Sequence, residues 1–385
     1  VAGRADLSEV DQALHAVQTQ RKIDFAIPLA GWPAGLYRGG GRKILVTEST
    51  IPLPAKEGSF EHVERYLKGL LGDGYKHQIG WWKWRRQNQR GDKQLPAQIM
   101  IYVEKSGTGK SLLQKITTRL LGGKDCCPFQ YMTGDSSFNS ELFEAGHLVI
   151  EDKFSSSGLH ERRAFGAKMK ELAVCAVQRC HPKNKVAITL SPRWAVSCSL
   201  NSEFENLSML PPMDESMLDK VMLFKCGQPE FPCDLESEEG WSMWDSIMDR
   251  EIPALAHFID NFDMNGLSAQ RYGVKPWHDP ELLNQESETS PESMLYEIIR
   301  NDLPLVYGNE PKWEGSAMDL ERVLTGSEMT SRDIARKLFK WNGACGTYLG
   351  RLCKKSKKVS KRIISGQNRW TIDLAGLRAE AAALT

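Results

Sequence analysis

The stretch IMIYVEKSGTGKSLLQKITTRLL, residues 99–121, decides the fold. A short apolar run, a glycine-bearing loop and an apolar pattern of helical period follow one another. This is the strand–loop–helix context that a phosphate-binding loop requires. The pattern for such a loop is G-x-x-x-x-G-K-[ST]; here Glu104 stands where the first glycine belongs. Ser106, Gly107, Thr108, Gly109, Lys110 and Ser111 are the nucleotide-binding candidates. Gly107 and Gly109 permit the turns that aim backbone N–H groups at phosphate oxygens. Lys110 carries charge to the β- and γ-phosphates, and the following helix adds the positive end of its dipole. The Ser111 hydroxyl is a candidate Mg²⁺ ligand, so ATP and Mg²⁺ are the expected cofactors. Glu104 lies at the strand exit, before the cradle. Turned inward it would repel a triphosphate, and turned away it is tolerable.

A loop of this kind needs acidic partners at the end of a neighbouring strand, and HLVIED (147–152) supplies them. Leu148–Ile150 reads as a buried strand with Glu151 and Asp152 at its carboxyl end, where α/β sheets place ligands. One carboxylate is suited to Mg²⁺, with Asp152 as the metal candidate beside Ser111, and Glu151 to orienting the attacking water. The run SPRWAVSCSLN gives a further strand ending at Asn201, whose amide is a candidate contact for the γ-phosphate.

Outward from this core, 385 residues predict two or three domains, and 41% hydrophobic residues are enough for real cores. Strands and helices alternate from about Gln98 to Cys226, which predicts an α/β nucleotide-binding domain over 96–230. Residues 1–95 read as a small α+β region, with a strand in RKILVTEST (42–50) and a helix in EHVERYLKGLLG (61–72). The segment HQIGWWKWRRQNQRG (77–91) is aromatic and basic. It suits either stacking on nucleic acid or a helix whose tryptophans pack under the next domain. Residues 231–293 read as an acidic helical connector ending in a linker, NQESETSPES. Residues 294–373 show three helices and then two short strands around Gly366, the order of a winged helix, with a tail at 374–385.

The net charge of +1 conceals an asymmetry: Ser331 to Trp370 holds twelve Lys/Arg against the single acid Asp333. A basic segment of that density on a neutral chain predicts a contact with polyanions. Lys354, Lys355, Lys357, Lys358, Lys361 and Arg362 are its DNA-binding candidates. Nine scattered cysteines without a C-x-x-C pair indicate neither a zinc site nor a disulfide framework. No run approaches the roughly 20 apolar residues of a membrane span, and the polar start does not read as a signal peptide. The expected location is therefore cytoplasmic, in a bacterial host or at a viral replication site. A first residue of Val is consistent with a fragment or a processed product, and 1–94 shows no primase-type metal motif.

The short spacing from GTGKS to VIED, followed by a strand ending in Asn, resembles superfamily 3 helicases, compact hexameric AAA+-like ATPases of viruses, phages and mobile elements. FNSELF (138–143) and YLGRLCKKSKKVSKRIISGQNRW (348–370) are similar to segments in the helicase part of phage and poxvirus-type primase-helicases. The resemblance implies that Lys110, Ser111, Glu151, Asp152 and Asn201 hold the loop, acidic and sensor positions. It also implies a basic hairpin between the acidic and sensor strands. CHPKNKVAI falls there, so His181, Lys183 and Lys185 are DNA-binding tip candidates. The family usually places a trans-acting arginine near the last core strand; here Lys220 stands in that place. Lys carries the charge without the planar fork. Either Lys220 serves, or another residue such as Arg193 does, or hydrolysis is weak.

The expectation is an ATP-dependent DNA helicase or translocase, a homo-hexameric ring acting on single-stranded and duplex DNA, with a primase or other replication protein as possible partner. The alternative is an ATP-gated DNA-binding initiator or regulator that does not unwind.

Overall fold

The computed structural model describes residues 8–20, 22–39, 42–91, 96–105, 107–151, 159–202, 213, 215–364 and 366–383. The chain divides into two compact units, residues 1–282 and 283–385.

Three strands open the first unit: β1 (Phe25–Ile27), β2 (Gly35–Gly39) and β3 (Arg42–Val46), in the order β1-β3-β2. The central sheet follows, built from β4 (Ile99–Val103), β5 (Asp125–Cys126), β6 (His147–Ile150), β9 (Ala195–Leu200) and β10 (Val221–Lys225). Its order is β10-β4-β9-β6-β5 and every pairing is parallel. All residues of β4 and β9 are buried, as expected for parallel strands covered on both faces. Between β6 and β9 the chain makes a separate antiparallel pair, β7 (Gln178–Cys180) with β8 (Ile188–Leu190). The order has a consequence for chemistry. Strand β9 lies between β4 and β6, so the residues that leave these three strands at their carboxyl ends are neighbours in space.

Helices Glu61–Leu71, Tyr75–Arg90, Lys110–Leu120 and Glu238–Asn261 share one apolar core with the sheet. The aromatic and basic segment is absorbed into it. Trp81 and Trp82 are fully buried; Trp81 Nε1 donates to the Gln98 carbonyl at 2.8 Å and Trp82 Nε1 to Thr117 Oγ1 at 3.0 Å. Arg86 is also fully buried. It grips Asp260 through Nε and Nη2, each 2.9 Å from a carboxylate oxygen, and donates to the carbonyls of Leu120 and Leu53. Of the two readings this stretch allowed, the packing one holds: its buried rings and these guanidinium donors are spent inside the protein, on carbonyls and on the side chains of Thr117 and Asp260.

The segment after β10, read from sequence as an acidic helical connector, is helical over Glu238–Asn261. Ser237 caps helix Glu238–Asn261 by accepting from the Gly240 N–H, and Trp244, Met248, Ile252, Leu255 and Ile259 enter the core of the first unit. The stretch expected to be a linker is helical over Pro280–Thr289. Asp279 Oδ1 accepts from the N–H groups of Glu281 and Leu282, and proline occupies the first turn, where it costs no hydrogen bond.

The second unit runs through helix Pro291–Val306, β11 (Ser268–Ala269) and β12 (Gly273–Val274) having closed the first. It continues with β13 (Lys312–Gly315), helices Ala317–Leu324, Arg332–Leu338 and Ala344–Lys355, the antiparallel pair β14 (Val359–Ile364) and β15 (Gln367–Asp373), and helix Leu374–Ala383. Strands pair in the order β13-β15-β14. Ile364 pairs with Gln367, and Gly366 between them has φ of 78°, a conformation glycine adopts without strain. Among the described residues no helix is long and apolar enough to cross a membrane.

Candidate functional site

The loop after β4 turns through Gly107 and Gly109, with φ of 84° and 99°, before helix Lys110–Leu120 begins. A Cβ at Gly107 would meet only open space, so backbone conformation rather than crowding calls for glycine there. Ser106 lies outside the described residues. Thr108 Oγ1 donates to the Lys105 carbonyl at 3.1 Å, which ties the loop across its own turn.

Lys110 is buried and points back across the loop. Its ammonium donates to the carbonyls of Glu104 and Lys105, the latter at 2.7 Å, and to Asn201 Oδ1 at 3.3 Å. These three acceptors are neutral oxygens, which the stronger oxygens of a phosphate can replace. The Glu104 side chain is turned to its own backbone, accepting from the Lys105 N–H at 2.9 Å. The residue in the first glycine's place therefore braces the strand exit.

Ser111 follows in the first turn of the helix, Glu151 leaves β6 and Asn201 leaves β9. Together with Gly107–Leu112 they line one cleft, whose lining also includes Phe231, Leu235, Glu236 and Trp241. Asp152 lies outside the described residues. Besides the Lys110 ammonium, the side-chain donors lining this cleft are hydroxyl, carboxylate and amide oxygens, with no histidine or cysteine among the described residues, a set that suits Mg²⁺. Among the described residues no cluster of three or more His, Cys, Asp or Glu is placed to hold a metal alone. A metal here would complete its shell with phosphate oxygens and water.

Two supports of this site have no local sequence signal. The Tyr66 hydroxyl, from helix Glu61–Leu71, donates to the Gly109 carbonyl at 2.8 Å. Burial pushes its phenol well above the usual range, so it remains a donor. Beneath the loop, His147 is fully buried between Thr118 Oγ1 and Ser197 Oγ, each 2.8 Å away, and Gln114 Nε2 donates to the same Ser197 oxygen. Burial lowers the imidazole to about 3, so it is neutral. This chain links the phosphate-loop helix to the strands that end in Glu151 and Asn201.

Lys220 stands elsewhere. It precedes β10, its carbonyl accepts from Ile99 N–H at the start of β4, and its ammonium lies 2.7 Å from Asp219 Oδ1. The five residues of β4 put it about 16 Å from the phosphate loop of the same chain, at the opposite end of the sheet. Arg271, which sequence reasoning missed, is 67% exposed and pairs with the other oxygen of Asp219. Arg193 is buried, donates to the Gly31 carbonyl and stacks over Trp32, so it is not available to a neighbouring subunit.

The β7–β8 connection, residues 181–187, carries the three tip candidates. Lys183 and Lys185 are exposed, and Lys185 Nζ lies 5.5 Å from the Phe25 ring centre. His181 sits at the base instead, its N–H bonded to Asn139 Oδ1 at 2.8 Å and its ring against Phe138. In the second unit Lys354, Lys357, Lys361 and Arg362 are exposed. Lys355 pairs with the buried Glu292 at 3.0 Å, and Lys358 lies 3.7 Å from Asp373.

Comparison with solved structures places the architecture. Apo structures of the NrS-1 C terminal region superpose with TM-scores of 0.52 and 0.53 at 12% identity, covering 95% of this chain and 91% and 90% of those chains. The fold is similar to that of the NrS-1 C terminal region. At this identity the likeness speaks of fold alone. A JCV helicase bound to a small molecule gives a TM-score of 0.35 at 11% identity over 60% of this chain and 58% of that chain, too slight to carry an argument. No family model and no curated protein matches the chain.

Proposed function

We propose that this chain is an ATP-dependent DNA helicase or translocase that serves the replication of a phage, virus or mobile element. The observation that carries the reading is the convergence of Lys110, Ser111, Glu151 and Asn201 on one cleft at the carboxyl ends of three adjacent parallel strands. The resemblance of the same residues to the motifs of superfamily 3 helicases supports it.

The chemistry follows from where the groups stand. Backbone N–H groups of residues 107–111 and the helix start receive the phosphates. Lys110 exchanges its carbonyl partners for phosphate oxygens, and Asn201, already beside it, turns to the terminal phosphate. Glu151 orients the attacking water. Ser111 and Asp152 would hold Mg²⁺, which when bound neutralises charge on the β- and γ-oxygens. In a hexameric ring the far end of the sheet would face the neighbouring subunit's nucleotide, and the cations there are Lys220 and Arg271. Lys183 and Lys185 would grip successive phosphates of single-stranded DNA. The second unit, on the sequence reading a winged helix, would bind duplex DNA through Lys354, Lys357, Lys361 and Arg362.

One observation favours the second reading, an ATP-gated initiator. Lys220 and Arg271 are both paired with Asp219, which attenuates the charge offered to a neighbour. Strand separation on a forked duplex, with Lys110→Ala as control, distinguishes the two. The helicase reading expects ATP-dependent unwinding that the variant abolishes. DNA binding without unwinding rejects it in favour of the initiator.

A further inference from the structure

The cleft has a second half that phosphate chemistry does not use. Beside the loop, Phe231, Leu235 and Trp241 give the cleft its apolar lining, with Phe231 3.7 Å from where a Cβ on Gly109 would stand. Trp241 is 40% exposed, whereas every other tryptophan of the first unit is buried or half-buried. The Lys115 ammonium lies 5.4 Å from its ring centre, so a flexible side chain rather than packed core covers it. Phe231 is fixed from behind, edge-on to Trp244 with ring centres 5.4 Å apart and 5.5 Å from Tyr66. Tyr66 in turn holds the Gly109 carbonyl. One aromatic cluster therefore positions both the phosphate loop and the apolar wall.

The direction of the helix supplies the distance. Leu112, one residue past Ser111, lines the cleft, and Lys115 stands about one helical turn, or about 6 Å, beyond the loop. A nucleotide whose phosphates lie over residues 107–111 would carry its base toward Leu112 and Trp241.

We infer that Phe231, Leu235 and Trp241 form a nucleobase-stacking subsite, with Trp241 as the residue on which the base lies. The inference rests on the nucleotide reading of the loop and adds the group that turns a polyphosphate site into a nucleoside triphosphate site. Stacking scales with the area of the planar ring, so the subsite favours purines over pyrimidines.

Calorimetric titration of the full chain with Mg–ATP and with Mg–tripolyphosphate, which has the phosphates and no base, tests this. Trp241→Ala is expected to weaken ATP about tenfold or more while leaving tripolyphosphate within about twofold; Trp241→Phe keeps most of the affinity. Trp241→Ala with wild-type ATP affinity overturns the subsite. So does an equal loss for both ligands, which would make Trp241 a support of the loop. A wild-type chain that binds neither ligand overturns the phosphate-site reading and this inference with it.

Discussion

The hydroxyl of Tyr66 and the carbonyl of Gly109 are joined by a 2.8 Å hydrogen bond, so a helix 43 residues upstream sets the last turn of the phosphate loop. Tyr66→Phe keeps the ring packing and removes only that bond. It is expected to cost about 1 kcal/mol of stability and to weaken ATP binding several-fold. Chemical denaturation and nucleotide titration measure both. Unchanged ATP affinity would mean that the loop holds its shape unaided.

The buried His147 makes stability depend on pH. Its folded-state value is depressed to about 3 against an unfolded value of about 6.5. The unfolded chain thus takes up a proton that the folded chain refuses. The neutral network is undisturbed above about pH 6.5, and stability falls below it by up to about 1.4 kcal/mol per pH unit until the folded value is reached. His77 and His278, also lowered by burial, add slopes of the same sign. The difference between wild type and His147→Gln in urea denaturation at pH 7.5 and pH 5 isolates the His147 share. Equal pH slopes in the two proteins would remove it.

Arg86 connects Asp260, Leu53 and the end of the phosphate-loop helix. Arg86→Met removes all these donations, leaving Asp260 with Arg90 and the Leu120 carbonyl with the Leu53 N–H, and is expected to destabilise the chain by about 3 kcal/mol or more. A loss below about 1 kcal/mol would contradict this account of the basic segment as structural. DNA affinity corrected for the folded fraction should not change.

Replacing Lys183 and Lys185 together with Ala is expected to lower affinity for single-stranded DNA. The slope of log affinity against log salt should flatten by about 1.4, two single-strand phosphate contacts. An unaltered slope would take the β7–β8 loop out of the DNA path.

The sequence displays the parts of this protein whose causes are local. The loop glycines and the apolar strand of residues 148–150 are each set by a few consecutive residues, whereas the hairpin between β6 and β9 is expected only from the family resemblance. What escapes it depends on distant partners. The basic tryptophan segment resembles a nucleic-acid surface because Asp260, which binds Arg86, lies 174 residues away. Tyr66 and Trp241 have no motif; only the fold brings them to the cleft. The apparent linker misleads for another reason. Its Asp279–Pro280 start is a helix signal that a Ser- and Glu-rich composition obscures. Lys220 and Arg271 meet through Asp219 across 52 residues, so the arginine at that end of the sheet is invisible to spacing along the last strand.

The account turns on ATP hydrolysis in the cleft and its coupling to DNA. Steady-state phosphate release, measured with and without single-stranded DNA for wild type and Lys110→Ala, tests it most directly. The account predicts Mg²⁺-dependent hydrolysis that DNA stimulates and that Lys110→Ala reduces to background. Hydrolysis that is absent, indifferent to DNA or retained by Lys110→Ala would contradict it.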